Sequence, residues 1–210
     1  LVEQRFDRYG VAAVGFDVVF AEPDQSSGLP VLEKLAQGPL AGDVGFGASL
    51  ARIRPQLDYD GKLAEALATG PSVLGFYFNF AERPEIVGRL PAPVADCAEL
   101  KRRGITPLTA SGYNANLERL QDKAAGAAFF NMEADFDGVA RRMPVVMEHR
   151  GRCYGSLALM TTMAGMGSQT VKPLAATGHR SPALDLDGLR IPVDAAARAL
   201  VPYRSADAFA

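Results

Sequence analysis

Carboxylates stand where strands should end and helices should begin: Glu22 and Asp24, Asp58 and Asp60, Asp135 and Asp137. In an open α/β sheet the carboxyl ends of the strands and the helix N-termini meet at one edge, and ligands bind there. Four to six carboxyl groups gathered in one crevice suit Mg²⁺ or Ca²⁺, or a cationic ligand. Taken singly, each acid also suits a cap or turn, because Asp bonds nearby backbone N–H groups. Asp17 has no such explanation. It interrupts the apolar run VAAVGFDVVFAEPD, residues 11–24, which reads as a buried strand over 11–20. An enclosed carboxylate without a partner costs several kcal/mol, so Asp17 must be bonded, paired or ligating. Asp17→Ala is therefore expected to disturb folding more than Asp96→Ala.

Arg141 and Arg142 follow Asp135 and Asp137 closely. An arginine grips a carboxylate or phosphate with two parallel hydrogen bonds, which serves an internal ion pair or an anionic ligand. The run from Glu133 to Gly138 begins like an EF-hand loop, but its twelfth position is Pro144, not Glu, so the match fails. His149 and His179 are the only histidines, and neither adjoins a nucleophile motif. G-x-S-x-G, GxGxxG, GxxxxGK[ST] and HExxH are all missing from the sequence. GDVGFG at 42–47 follows no strong strand, which argues against a phosphate loop. No catalytic residue and no cofactor are expected. The candidate ligand-binding set is Asp17, Glu22, Asp24, Asp137 and Arg141, lining one shared crevice, with metal binding left open.

The elements that must position these groups alternate. Val2, Phe6 and Tyr9 have helical spacing, and the strand over 11–20 follows almost at once. Pro30 suits the first turn of a helix over 31–37, and 38–47, with four glycines and a proline, reads as a loop. Asp58 or Asp60 can cap a helix carrying Leu63, Ala66 and Leu67, before a strand over 72–80. A short helix over 96–103, another over 116–123 and a strand over 124–132 come next. Arg150-Gly151 and the DLDG run at 185–188 each signal a hairpin, and Ser156 caps a helix through 163. The reading is α/β: one domain over 1–210, a mixed sheet with parallel core strands and later antiparallel hairpins, flanked by helices.

At 210 residues the chain is long enough to bury about 70% of its unfolded surface without staples. A net charge of −2 and no basic run longer than the three residues 101–103 argue against a nucleic-acid partner. Cys97 and Cys153 are either two separate thiols or one long-range disulfide, the latter requiring an oxidising compartment. The longest near-apolar stretch, 157–167, is too short to span about 30 Å of hydrocarbon. The chain begins at Leu1, so it is expected to be a piece of a longer protein.

Four segments in order carry a family likeness. VGFDVVFAEPD, LDYDGKLAEAL, DFDGVARRMPVV and GRCYGSLAL together resemble the type 2 CHASE domain, the cyclase/histidine-kinase-associated sensory extracellular domain of bacterial receptors. The likeness continues through Leu189-Arg-Ile-Pro-Val193 to Val201-Pro-Tyr203 and is vague only over 81–123. It implies a non-catalytic sensor outside the cytoplasmic membrane, responding to an unknown small solute, ion or protein. The cytoplasmic effector in the same polypeptide would most often be a class III adenylate or guanylate cyclase. A histidine kinase, Ser/Thr kinase or diguanylate cyclase is the alternative effector. Because such cyclases work as dimers, the intact receptor is expected to be a homodimer. A competing reading from the acids alone is a metal-assisted α/β hydrolase.

Overall fold

The computed structural model describes residues 9–203. β1 (Val14–Phe16) precedes three helices, α1 (Leu29–Gln37), α2 (Val44–Leu57) and α3 (Tyr59–Leu67), and then the long strand β2 (Ser72–Asn79). The middle of the chain holds β3 (Ile86–Val87), β4 (Ala95–Asp96), α4 (Cys97–Arg102), β5 (Gly112–Asn114), α5 (Glu118–Gln121) and β6 (Gly126–Phe129). The last third holds β7 (Arg142–Pro144), β8 (Val146–His149), β9 (Arg152–Gly155), α6 (Leu157–Met166), β10 (Lys172–Leu174), β11 (Ala183–Leu186), β12 (Leu189–Pro192) and β13 (Arg198–Leu200). The helix expected at the extreme N-terminus lies almost wholly outside the described residues.

β2 organises the main sheet. Its first half runs parallel to both β1 and β6, with Val14 opposite Ser72 and Phe129 opposite Phe76. Its last three residues pair antiparallel with β5, Tyr77 facing Asn114, and β3 then lies parallel to β5. β1 and β5 occupy the same edge of β2 in succession, so β1 must leave the sheet before β5 arrives. This is why the first strand ends at Phe16 and not at residue 20. Gly75 permits the tight departure: a Cβ there would sit 2.5 Å from the Phe16 carbonyl oxygen.

Asn116 fills the gap between the two edge strands. Its side chain, fully buried, donates to the Gly75 carbonyl at 2.9 Å and accepts from the Phe20 N–H at 2.8 Å. On the opposite edge Asn131 imitates a strand residue, accepting from the Phe78 N–H and donating to the Phe78 carbonyl, both at 2.8 Å. Two asparagine side chains thus complete backbone pairing that an extra strand residue would otherwise supply.

The alternation along β2 sends Leu74, Phe76 and Phe78 to one face, where Ala64 and Leu67 of α3 and Leu120 of α5 cover them. Phe76, Phe78 and Phe129 are each fully buried, worth roughly 1.5–3 kcal/mol apiece. α6 crosses the other face, close enough that a Cβ on Gly15 would lie 2.6 Å from Thr161 Oγ1. A second apolar cluster joins α4, α6, β8, β9 and β11 through Leu100, Val146, Leu159, Met163 and Leu184. The fold is α/β, with a mixed sheet flanked by helices and antiparallel hairpins in its later half.

Both expected hairpins are present. Arg150 and Gly151 have φ of 50° and 77°, and Asp187 and Gly188 have 48° and 91°, the left-handed pair that tight two-residue turns require. Two other expectations need correction, and one open alternative is decided. Residues 38–47 are not all loop, because Asp43 caps α2 by accepting from the Phe46 N–H at 2.9 Å. The helix expected over 116–123 is a single turn. Cys97 and Cys153 are joined in a disulfide, both sulfurs within the second core, with β4 and β9 pairing to bring them together.

Candidate functional site

α3 packs back along β2, so its N-terminus lies at the carboxyl edge of the parallel strands, where the loop after β1 also arrives. There Asp24, Asp58 and Asp60 border a hollow of about 240 Å³. Asp58 is the helix cap, accepting from the Gly61 N–H at 2.9 Å. Arg119 of α5 reaches it with both terminal nitrogens, one at 2.8 Å from Asp58 Oδ1 and the other on Oδ2. This guanidinium holds the Asp58 carboxyl below its usual range, and Asp58 in turn raises Arg119.

Asp24 is folded into its own turn. Its carboxylate accepts from Ser26 Oγ at 2.6 Å, from the Ser26 N–H at 3.0 Å and from the Ser27 N–H at 3.1 Å. Those bonds to the charged form, the Ser26 and Ser27 ones leading, lower its pKa to about 2. The Asp24 N–H donates to Asp60 Oδ2 at 3.0 Å, which ties the loop to the first turn of α3. Across the hollow Arg54 of α2 pairs with Glu33 of α1. Pro23, Leu29, Pro30 and Leu57 supply apolar wall between these charges. Asp24, Glu33, Asp58 and Asp60 set four negative charges against the two positive charges of Arg54 and Arg119, so the lining is net acidic.

The rest of the expected crevice does not assemble. Asp17 is exposed, because β1 ends one residue before it and the chain turns away from the sheet. Its expected enclosure is therefore corrected, and with it the need for a buried partner. Glu22 is also exposed and borders a different, open hollow of about 410 Å³ with Val19, Tyr77 and Asn114. Asp137 and Arg141 belong to the exposed loop between β6 and β7. There Arg141 binds Asp137 at 2.8 and 2.7 Å and Asp135 at 3.1 Å. Arg141 holds Asp137 below its usual range, so this arginine serves an internal ion pair. One shared hollow is thus replaced by four separate places: Asp17 beyond β1, Glu22 at the open hollow, Asp24 in the acidic hollow, and Asp137 with Arg141 in the β6–β7 loop.

Among the described residues no three His, Cys, Asp or Glu side chains converge as metal ligands. The acids are instead capped, paired or solvated. The sequence reading missed Arg119, Glu33 and Arg54, whose partners lie 61 and 21 residues away. Room for the Arg119 side chain is left at Gly61. Gly61 stands three residues after the cap Asp58, and a Cβ there would fall 2.3 Å from Arg119 Nη2.

A model of the CHASE2 domain family matches residues 1–210. The chain belongs to the CHASE2 family. CHASE2 domains are extracytoplasmic sensory domains of membrane signalling receptors. Searches of the curated proteins and of the solved structures found no match. No helix among the described residues is long and apolar enough to cross a membrane.

Proposed function

We propose that this CHASE2 domain is the input module of a receptor whose cytoplasmic effector, in the same polypeptide, is a class III adenylate or guanylate cyclase. A histidine kinase, Ser/Thr kinase or diguanylate cyclase is the alternative effector, and the working receptor is a homodimer. The observation that carries the reading is the family match over the full 210 residues. The Cys97–Cys153 disulfide agrees with it, since such bonds persist in oxidising compartments outside the cytoplasm.

The input is a small solute with positive charge, bound in the Asp24–Asp60 hollow. The net acidic lining and the apolar wall of Leu29 and Leu57 support that class. Its binding biases the domain between two conformations, and the bias is carried to the effector by differential affinity. The test is cyclase output of the intact receptor in membrane vesicles, with a panel of amines added on the sensor side. Output should change with at least one amine in the parent and not in Asp60→Asn. A response that survives Asp60→Asn and Asp24→Ala unchanged would rule out this hollow.

A further inference from the structure

The loop between β6 and β7 carries apolar side chains that stand exposed among the described residues. Met132 and Val139 are exposed and Phe136 is completely so. Beside them stand Leu200 of β13 and Tyr203, also exposed. Backbone bonds hold these segments together: Leu200 pairs with Arg142, the Val201 N–H donates to the Arg141 carbonyl at 2.9 Å, and the Tyr203 hydroxyl donates to the Ala140 carbonyl at 2.8 Å. The loop itself is braced, with the Gly138 N–H on the Asp135 carbonyl at 2.8 Å and the Asp135 N–H on the Val139 carbonyl at 3.0 Å. Phe136 is therefore held out at the tip of an ordered turn.

We propose that this face rests on the outer surface of the lipid bilayer, with Phe136 entering the headgroup region. The inference rests on the reading of the chain as part of a membrane receptor, which sets a bilayer beside the domain. Charge favours it. Every acid of the strip has a cationic partner: Arg141 holds Asp135 and Asp137, Arg198 lies 2.9 Å from Asp194 and 3.9 Å from Glu133, and Arg142 lies 4.0 Å from Asp194, so three arginines meet four acids. Desolvating acids already paired costs less than desolvating free ones. Shape favours it too. A stable protein interface asks for a broad face of roughly 800 Å² per partner, whereas the apolar groups here sit on one projecting turn and one strand end. A lipid interface rewards single protruding aromatic and aliphatic side chains, with Tyr and Phe at headgroup level.

The chain contains no tryptophan, so Phe136→Trp places the sole indole at the loop tip. Val44→Trp, at the exposed start of α2, is the comparison. Both 210-residue variants are tethered by a C-terminal histidine tag to nickel-chelating lipid in phosphatidylcholine vesicles. The Phe136→Trp emission should shift to the blue on tethering, be quenched by brominated lipid tails, and keep both properties at high salt. Val44→Trp should show neither. Equal spectra for the two variants on vesicles would overturn the proposal. So would a blue shift of Phe136→Trp that appears without lipid and grows with protein concentration, because a second copy then covers the face. Neither failure touches the sensor reading, which stands or falls on effector output.

Discussion

Arg119 holds both carboxylate oxygens of Asp58, and it does so by passing over Gly61, where no Cβ has room. The pair joins α5 to the first turn of α3 and so braces one wall of the acidic hollow. Helix propensity alone favours Ala over Gly by about 1 kcal/mol. Gly61→Ala should nevertheless destabilise the domain by about 1 kcal/mol, since it displaces the guanidinium from the cap. In an Arg119→Ala background a Cβ at Gly61 would still lie 2.4 Å from Asp58 Oδ2 and 2.7 Å from Asp58 Cγ, so the same substitution should still destabilise, by a smaller amount. Urea denaturation of the four proteins of this cycle measures the coupling between Gly61 and Arg119, and a loss from Gly61→Ala as large without Arg119 as with it would refute the guanidinium's part.

Asn116 joins two edge strands from a fully buried position. Truncation to Ala would strand the buried Gly75 carbonyl and the part-buried Phe20 N–H and leave a void. The expected loss is about 2–4 kcal/mol, each unsatisfied group costing roughly 1–3. Asn131→Ala breaks the equivalent pair on the other edge, but the site is only part-buried, so its loss should be smaller. Equal effects would mean that the bridging amide is not what sets the junction between β1 and β5.

The disulfide closes a separation of 56 residues and lies within the second core. Chain-entropy reasoning assigns a loop of that length about 4 kcal/mol. Replacing both cysteines with Ser should lower stability by that order, and reductant should bring the parent to a similar level only after unfolding exposes the bond. A parent unaffected by reductant after denaturant-induced unfolding and refolding would refute this role.

Asp24 makes the domain sensitive to acid. Its folded pKa, about 2, lies below the ordinary 3.8, so its contribution is present above the ordinary value and is lost as pH falls toward about 2. Asp58 and Asp137 are shifted the same way by their arginines. The melting-temperature gap between parent and Asp24→Ala should be steady above about pH 5 and close as pH approaches 2. A gap that widens on acidification would reverse the sign and the assignment.

Much of this fold is written locally. Pro30, Asp58, Asp96 and Ser156 each mark the start of a helix, and Arg150-Gly151 and Asp187-Gly188 each mark a hairpin. α2 was hidden because Gly45, Gly47 and Pro55 all argue against a helix, while the Asp43 cap and packing against α1 outweigh them. The site was only half legible for a related reason. Asp24, Asp58 and Asp60 announce themselves as acids at the carboxyl edge, but the arginines that meet them come from α2 and α5, at distances in sequence that no local pattern encodes. Asp17 misled because an apolar run was read as one strand. Where β1 stops is decided by β5, nearly a hundred residues later.

That last point separates two aspartates. Asp17 is exposed just beyond β1 and makes no hydrogen bond to the sheet, whereas Asp96 caps α4 by accepting from the Ala98 N–H at 2.8 Å, beside the disulfide at Cys97. The sequence alone ranks Asp17 as the more sensitive position, and the structure inverts the order. Asp17→Ala should stay within about 0.5 kcal/mol of the parent, as surface changes do. Asp96→Ala should cost about 1 kcal/mol through the lost cap. Chemical denaturation of both variants beside the parent decides between the rankings. A larger loss at Asp17 would mean that β1 runs past Phe16 and takes its carboxylate into the core.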